Sequence, residues 1–182
     1  KLALQFVLNY EEGGENSVLN GDKYSETFLS EIIGAKAIKG RHISMESIYE
    51  YGSRAGIWRL DRLSKEKKIP VTIFGVGLAL EKNPEVCEAI KKGDYEIAAH
   101  GYRWIDYQDI KKSVEKKHMH QAIKTIENIF GSRPLGWYTG RCSPNTRDLV
   151  FENGGFLYDS DSYSDDLPYW ENRGKKKQLI IP

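Results

Sequence analysis

Short apolar runs alternate with amphipathic stretches along most of the chain. The runs are continuously apolar rather than alternating, as is typical of strands that are buried on both faces of a sheet. Strand–helix alternation of this kind predicts a mainly parallel sheet, either open or closed into a barrel. Six runs fit strands: Leu2–Leu8, Val71–Val76, Tyr95–Ala99, Leu135–Tyr138, Phe156–Tyr158 and Leu179–Ile181.

Four helices are predicted between these strands. Their apolar residues recur at helical spacing, and their ends carry the residues that begin and end helices: Asn-Pro at one start, and Gly at two ends. The predicted helices are Gly56–Lys68, one that begins at Asn83-Pro84, Asp109–Phe130 ahead of Gly131, and Asn145–Asn153 ahead of Gly154-Gly155.

The segment Glu11–Glu50 has no clear period and is rich in Gly, Ser and Glu. A loop of this length inside a compact domain more often carries a function than merely connects two elements. We therefore expect part of a functional site in this segment.

Composition places the chain among globular proteins and excludes two classes of partner. Its 182 residues form one domain, residues 1–182, with 27 basic and 26 acidic side chains and a net charge of +1. Such a balance attracts neither nucleic acid nor an anionic membrane, and no apolar run reaches the roughly 18 residues of a membrane span. Cys87 and Cys142 stand apart with no CxxC motif, so we expect a reducing, cytoplasmic location.

Both ends of the chain fall within strand patterns, since it begins at Lys1 and stops at Pro182. Domains seldom begin and end in core strands, because unpaired strand edges are a liability. We therefore expect that sequence is missing at both ends.

Chemically capable side chains follow several of the predicted strands. Glu11 and Glu12 follow the first strand, His100 the third, Arg141 the fourth, and Asp165 with Asp166 the fifth. Because the carboxyl ends of parallel strands meet at one edge of a sheet, these groups are expected to converge.

Each of these residues also has a purely structural interpretation. Adjacent glutamates often serve solubility, and a lone histidine is often a satisfied core residue. Arg141 could pair with Asp165 or Asp166, which is compatible with a functional role. A carboxylate at the end of a buried strand nevertheless costs free energy unless it is used or paired, which favours function for Glu11 and Glu12.

The motifs around these residues resemble those of the polysaccharide deacetylase (NodB-homology) superfamily. Asn9–Gly13 matches the position of its TFDDG motif, His100 begins its His-x-x-x-His motif, and Arg141–Pro144 matches its arginine–proline motif. Longer segments are similar to the branch of PuuE-type allantoinases, which open the hydantoin ring of allantoin. These segments are YEYGSRAG (49–56), HGYRWIDYQ (100–108), GWYTGR (136–141), SPNTR (143–147) and YDSDSYSDDLPYW (158–170).

The resemblance implies a distorted, incomplete (β/α) barrel and a hydrolytic site, but the metal ligands of the superfamily are altered. Metal-dependent members are thought to use an aspartate and two histidines. Here Trp104 stands where the second histidine belongs, and glutamates replace both aspartates. An indole nitrogen has no lone pair to give to a metal. We therefore expect no metal and no other cofactor, and activity that survives chelation.

Hydrolysis without a metal still needs a base, a group that stabilises the oxyanion and a proton for the leaving nitrogen. We assign Glu11 as the base, with Glu12 as the alternative. His100 polarises the carbonyl or protonates the nitrogen, and Arg141 stabilises the oxyanion or orients a carboxylate. The expected partner is a small-molecule ureide, allantoin, converted to allantoate by a homo-oligomeric enzyme of purine catabolism. The predicted substrate-binding residues are Tyr102, Trp104, Asp165 and Asp166.

Two other functions remain open from the sequence. An N-deacetylase acting on peptidoglycan or chitin would have the same fold, because fold fixes function weakly. A catalytically dead binding domain is favoured by the missing histidine. Two assays distinguish these three functions. An allantoinase hydrolyses a ureide, a deacetylase releases acetate from a glycan, and a binding domain does neither.

Overall fold

A seven-stranded, mostly parallel sheet forms the centre of the computed structural model, which describes residues 4–93 and 95–182. The strands lie in the order β1-β2-β3-β4-β5-β7-β6, and the sheet is not closed. All neighbours are parallel except β6 and β7, which form an antiparallel pair. The strands are β1 (Phe6–Tyr10), β2 (Val71–Gly75), β3 (Glu96–Ala99), β4 (Gly136–Trp137), β5 (Tyr158–Asp159), β6 (Tyr169–Arg173) and β7 (Lys176–Ile180).

Helices connect the parallel strands and cover one face of the sheet. A single π-helical turn, Gly52–Gly56, joins the first two helices into one continuous element. The main core lies between this layer and the sheet, and Ile73, Leu80 and Ile126 are among its most buried residues. The α-helices are α1 (Ile43–Tyr51), α2 (Ile57–Lys67), α3 (Gly77–Lys82), α4 (Pro84–Lys92), α5 (Lys112–Phe130) and α6 (Thr146–Asn153).

The opposite face of the sheet carries a smaller apolar cluster of Phe74, Ala98 and Tyr158. Side chains alternate between the two faces along a strand, so Ile73 contributes to the main core while Phe74 contributes to the second cluster. The central strands β2 to β5 are thus buried on both sides, as their continuous apolar sequences predict.

The structure confirms the predicted α/β fold with its six parallel strands, which is that of an incomplete barrel. The four predicted helices correspond to α2, α4, α5 and α6. The predicted start of the first strand at Leu2 lies outside the described residues. Helices α1 and α3 were not predicted, because α1 lies in the segment without a clear period and α3 is only six residues long.

One strand near the end of the chain was not predicted, and another begins earlier than predicted. Strand β6 corresponds to none of the six predicted runs, and β7 begins at Lys176, three residues before the predicted run Leu179–Ile181. A search for continuous apolar runs misses β6, since its sequence YWENR is polar and it is the edge strand of the antiparallel pair.

The first strand is less buried than its sequence suggested. Phe6 and Val7 are each more than 40% exposed, because β1 is the edge strand on the other side of the described sheet. Within residues 4–93 and 95–182, no helix has the length and apolar character that crossing a membrane requires.

Candidate active site

The loop that follows β1 is fastened to the loop that follows β3. The backbone N–H of Trp104 donates to the carbonyl of Gly14 over 2.9 Å, and Arg103 Nε donates to the same carbonyl over 3.1 Å. Arg103 also forms an ion pair of 2.5 Å with Asp22 at the far end of the first loop. These contacts bring the glutamates after β1 beside the histidine after β3.

Glu11 and His100 form a hydrogen-bonded pair at the carboxyl ends of β1 and β3. Glu11 Oε1 lies 3.0 Å from His100 Nε2, and it also accepts from Asn9 Nδ2 over 3.1 Å. The side chain of His100 is 1% exposed and that of Glu11 is 18% exposed. Glu11 is therefore the member of the pair that solvent and a substrate can reach.

The surroundings of His100 fix how many protons the pair holds. Its Nδ1 lies 3.2 Å from the carbonyl oxygen of Tyr138. Because a carbonyl oxygen can only accept, Nδ1 must carry a hydrogen. The contact between Nε2 and Glu11 then needs one further proton, carried either by the histidine or by the carboxyl group. The two side chains thus share one proton across a hydrogen bond of 3.0 Å.

Glu12 faces away from this pair. Its Oε2 accepts from the backbone N–H of Glu11 over 3.1 Å, and its carboxyl group packs on Gly52 so closely that a Cβ there would collide with it. Glu12 lines a cavity of about 360 Å³ together with Tyr49 and Lys82. Burial raises the pKa of Glu12. The structure thus separates the two adjacent glutamates into different surroundings.

Arg141 is held by a carboxylate and by two aromatic rings. It pairs with Glu26 over 3.1 Å, and its guanidinium lies 4.9 Å from the centre of the Trp104 ring and 5.7 Å from that of Phe28. Burial acts to raise the pKa of Glu26, but hydrogen bonds from the Thr27 backbone and from Arg141 outweigh it and lower the pKa. Such contacts fix the position of a charge that would otherwise be mobile.

Tyr49 completes the group of aromatic side chains around Trp104. Its ring centre lies 6.2 Å from that of Trp104, and only 7% of the residue is exposed. Burial raises the pKa of Tyr49, so its hydroxyl stays protonated and can donate. Among the described residues, nothing accepts from or donates to this hydroxyl.

Asp161 holds the segment before Arg141. Its Oδ1 accepts from the backbone N–H groups of Thr139 and Gly140, over 2.7 and 2.8 Å.

Burial raises the pKa of the neighbouring Cys142 thiol, with a further contribution from Asp161. A thiol of this kind is not an activated nucleophile, so a cysteine mechanism is not favoured.

The predicted site residues fall into two groups in the structure. Glu11 pairs with His100, and Arg141 contacts Trp104 and Glu26. The hydrogen bond from the Trp104 N–H to the Gly14 carbonyl ties the two loops together. We call Glu11, Glu26, His100, Trp104 and Arg141 the catalytic cluster. Tyr102 instead donates to Glu81 of α3 over 3.0 Å and packs against His118 of α5.

Asp165 and Asp166 are exposed, and the contacts described for Asp165 are with the backbone N–H groups of Asp166 and Leu167. The pairing of Arg141 with Asp165 or Asp166 that the sequence suggested is wrong, since Arg141 pairs with Glu26. The acidic segment after β5 thus satisfies its own backbone.

Sequence reasoning missed Glu26, Phe28 and Tyr49. Glu26 and Phe28 lie in the segment without a clear period, and no local pattern distinguishes them from loop residues. Tyr49 belongs to the segment YEYGSRAG, whose similarity to the allantoinase-like branch was the available signal.

The residues present do not fit the divalent metal that the resemblance implies. Both ring nitrogens of His100 are engaged, with Glu11 and with the Tyr138 carbonyl. The ring of Trp104 faces the cationic guanidinium of Arg141, and Glu12 lines a cavity of which His100 is not part. Over the part of the chain that the structure describes, no three His, Cys, Asp or Glu side chains converge in a way that could hold a metal ion.

Comparisons with known proteins agree with the fold and with the motifs. Residues 40–150 match the family model of polysaccharide deacetylases. A Schizosaccharomyces pombe (strain 972) protein named "Putative polysaccharide deacetylase" is 43% identical over 180 residues, which cover 93% of this chain and 56% of that protein.

Two crystal structures resemble this one closely. PuuE allantoinase is 55% identical, and a probable polysaccharide deacetylase from Pseudomonas aeruginosa PAO1 is 57% identical. In both comparisons the TM-score is 0.94, with 98% of this chain and 60% of the other chain covered. The chain thus spans less than two thirds of the length of each protein.

Proposed function

The chain belongs to the polysaccharide deacetylase family, and we propose that it is a hydrolase that opens the cyclic amide of allantoin to give allantoate. The observation that carries this proposal is the Glu11–His100 pair, whose nearest side-chain atoms are 3.0 Å apart. A carboxyl group that moves a proton can serve as the base and return that proton to the leaving nitrogen, and the positioned guanidinium of Arg141 supplies the charge for the oxyanion.

In the proposed reaction, Glu11 starts as a carboxylate beside a protonated His100. A water molecule attacks the carbonyl carbon of the ring and gives its proton to Glu11. The new C–O bond leaves a tetrahedral intermediate with a negative oxygen. The hydrogen bond between Glu11 Oε1 and His100 Nε2, which is 3.0 Å long, holds the Glu11 carboxylate in position for the attack.

The protonated Glu11 then gives the same proton to the ring nitrogen as the C–N bond breaks. Glu11 is again a carboxylate, and the opened product leaves with its new carboxyl group. Because His100 is 1% exposed, we assign it to the support of Glu11 rather than to direct contact with the substrate.

Arg141 stabilises the oxyanion in this scheme. Its guanidinium is 27% exposed, so it can reach a bound ligand, while Glu26 and the ring of Trp104 hold it in one place. A charge that is already positioned needs no reorganisation when the oxyanion forms.

Two considerations support a ureide rather than a glycan. Trp104 occupies the place where the superfamily motif has a second histidine, and a strained cyclic imide is easier to open without a metal than an acetamide. The 55% identity with PuuE allantoinase points in the same direction.

A second candidate is N-deacetylation of a glycan. It is favoured by the similarity to the Pseudomonas aeruginosa protein, whose name is that of a deacetylase and whose identity with this chain is 57%. The two candidates use the same cluster and differ in the size of the substrate that must enter it.

The test measures two activities, the hydrolysis of allantoin and the release of acetate from N-acetylglucosamine oligomers. Each is measured before and after prolonged EDTA treatment, and the metal content of the protein is determined in parallel. We expect allantoin hydrolysis that is unchanged by EDTA. Release of acetate without hydrolysis of allantoin would favour the second candidate. Allantoin hydrolysis that EDTA abolishes and zinc restores would contradict the metal-free mechanism.

A further inference from the structure

A buried carboxylate on α5 lies outside the catalytic cluster and has no role in the reaction proposed above. Glu115 is 4% exposed, near the beginning of α5. Its Oε2 accepts from the hydroxyl of Ser143 over 2.6 Å, and its Oε1 accepts from the hydroxyl of Thr146. Over residues 4–93 and 95–182, no basic side chain forms an ion pair with it. A buried charge costs free energy unless hydrogen bonds compensate it.

The two hydroxyls that Glu115 binds also hold the backbone of their own loop. Thr146 Oγ1 accepts from the backbone N–H of Ser143 over 2.9 Å, and Ser143 Oγ accepts from that of Asn145 over 2.9 Å. Each hydroxyl thus accepts from the backbone and donates to Glu115. The carboxylate is the acceptor on which the whole network ends.

This loop begins two residues after Arg141. On the other side, the backbone N–H of Tyr107 donates to the carbonyl of Arg141 itself over 3.1 Å. The backbone that carries the guanidinium is therefore held between the Tyr107 contact and the network that ends on Glu115. Among the described residues, Glu26 and the two aromatic rings are what restrain the side chain itself.

We propose that Glu115 is a positioning residue, which holds the loop 143–146 so that the guanidinium of Arg141 stays on Trp104 and beside Glu26. This proposal rests on the proposed function where it gives Arg141 a role in the reaction. What it says about the position of Arg141 is independent of that function. Glu115 does not touch the substrate and acts through the loop alone.

Replacement of Glu115 by Gln removes one acceptor and leaves the size unchanged. The amide offers one acceptor oxygen and two donors. Since both hydroxyls need an acceptor for their protons, one of them must turn away or stay unpaired in the core. We expect the loop to shift and kcat/KM for the hydrolysed amide to fall about tenfold or more.

The experiment is a double-mutant cycle between Glu115→Gln and Arg141→Lys, with Glu127→Gln as the control. Glu127 lies on the same helix but is exposed, and its distance to Arg133 is 3.9 Å. If Glu115 acts through Arg141, Glu115→Gln lowers kcat/KM in the wild-type background but not in the Arg141→Lys background. Glu127→Gln should leave kcat/KM unchanged in both.

A crystal structure of Glu115→Gln gives a readout that does not need activity. We expect Arg141 to leave hydrogen-bond distance of Glu26 and to move off the ring of Trp104. If Glu115→Gln does not fold, Ser143→Ala takes its place in the cycle, because it removes one of the two hydroxyls.

The positioning role would be overturned if the two substitutions lower kcat/KM independently, so that their effects multiply. It would also be overturned if Arg141 stays in place in the crystal structure of Glu115→Gln. Either result would leave the proposed function intact. A wild-type protein that hydrolyses neither allantoin nor an acetylated glycan would overturn the proposed function instead. The crystal structure then decides the position of Arg141 by itself.

Discussion

At the scale of single residues, Glu11 and Glu12 differ in what surrounds them. Glu11 contacts His100 and is partly exposed, whereas Glu12 packs on Gly52 and lines a separate cavity. Only Glu11 therefore has a partner that can help it to take up and return a proton. The reaction scheme requires this difference, and conservative substitutions can measure it.

Glu11→Gln should lower kcat for allantoin by at least about 10²-fold, because the amide keeps the size of the side chain but cannot accept a proton. The matched change Glu12→Gln should cost less than about tenfold. Steady-state kinetics of the two variants decide between them, with circular dichroism as a check of folding. The assignment is wrong if Glu12→Gln has the larger effect on kcat.

Arg141→Lys keeps the charge but loses the planar group that stacks on Trp104. An ammonium cannot reproduce the fork geometry or the stacking, so kcat/KM should fall about 10²-fold while the stability changes little. Arg59→Lys, at an exposed arginine that donates to Tyr51, is the control and should behave as the wild type. Equal kinetics of the two variants would remove Arg141 from the reaction.

The sequence predicts the residues that end strands better than those that approach from loops. Glu11, His100 and Arg141 were found because parallel strands deliver their ends to one edge of a sheet. Glu26 and Tyr49 reach the same place from a segment whose path depends on packing, which no local pattern reveals. Tyr102, next to a glycine at the end of β3, turns toward α3 and α5 instead.

At the scale of elements, one long helix is interrupted where it meets the site. The π-helical turn Gly52–Gly56 joins α1 to α2 at the point where Gly52 faces the carboxyl group of Glu12. Such turns occur frequently at functional sites. The turn makes room for Glu12 and places Tyr49 against Trp104.

Gly52→Ala should displace the carboxyl group of Glu12, so its free energy of unfolding should be lower than that of the same change at Gly56 by about 1 kcal/mol or more. Gly56→Ala is the matched control. Its Cβ would lie 3.7 Å from the nearest atom, in ordinary contact, and its φ of −61° is helical. That change should be neutral or stabilising by up to about 1 kcal/mol. Urea unfolding measures both, and equal values would contradict the close contact with Glu12.

Helices with clear caps and strands with apolar runs were predictable, and the β6–β7 pair was not. The signal was nevertheless present, since Gly174, with a φ of 59°, lies between two segments that pair from Arg173 and Lys176 outward. A glycine in a two-residue turn between such segments is typical of a hairpin. The sequence YWENR of β6 concealed it, because the strand predictions relied on continuous apolar runs.

At the scale of the whole molecule, folding is coupled to pH through Asp159. This residue is fully buried at the end of β5, where Arg147 Nε lies 3.2 Å from its Oδ2. Burial, together with the charge of Asp161, raises the pKa of Asp159 to about 7 in spite of Arg147. An unfolded aspartate has a pKa of about 4.

Between about pH 4 and pH 7 the folded chain therefore holds a proton on Asp159 that the unfolded chain has lost. The contribution of this group to stability is fully present below about pH 4 and is lost as the pH rises to about 7. Asp159→Asn should remove this decline. Urea unfolding at pH 5, 6 and 7 measures the slopes, and a variant whose slope equals that of the wild type would contradict the raised pKa.

The exposed edge of β1 has a consequence for how the molecule behaves at high concentration. Phe6 and Val7 are each more than 40% exposed, and among the described residues β1 pairs on one side only, with β2. An apolar strand with free backbone groups is a template for β-strand addition. Preparations of this chain should therefore aggregate, and their light scattering should increase with concentration and time. Any segment that covers β1 would suppress this aggregation, because it would occupy the backbone hydrogen bonds through which a further strand is added.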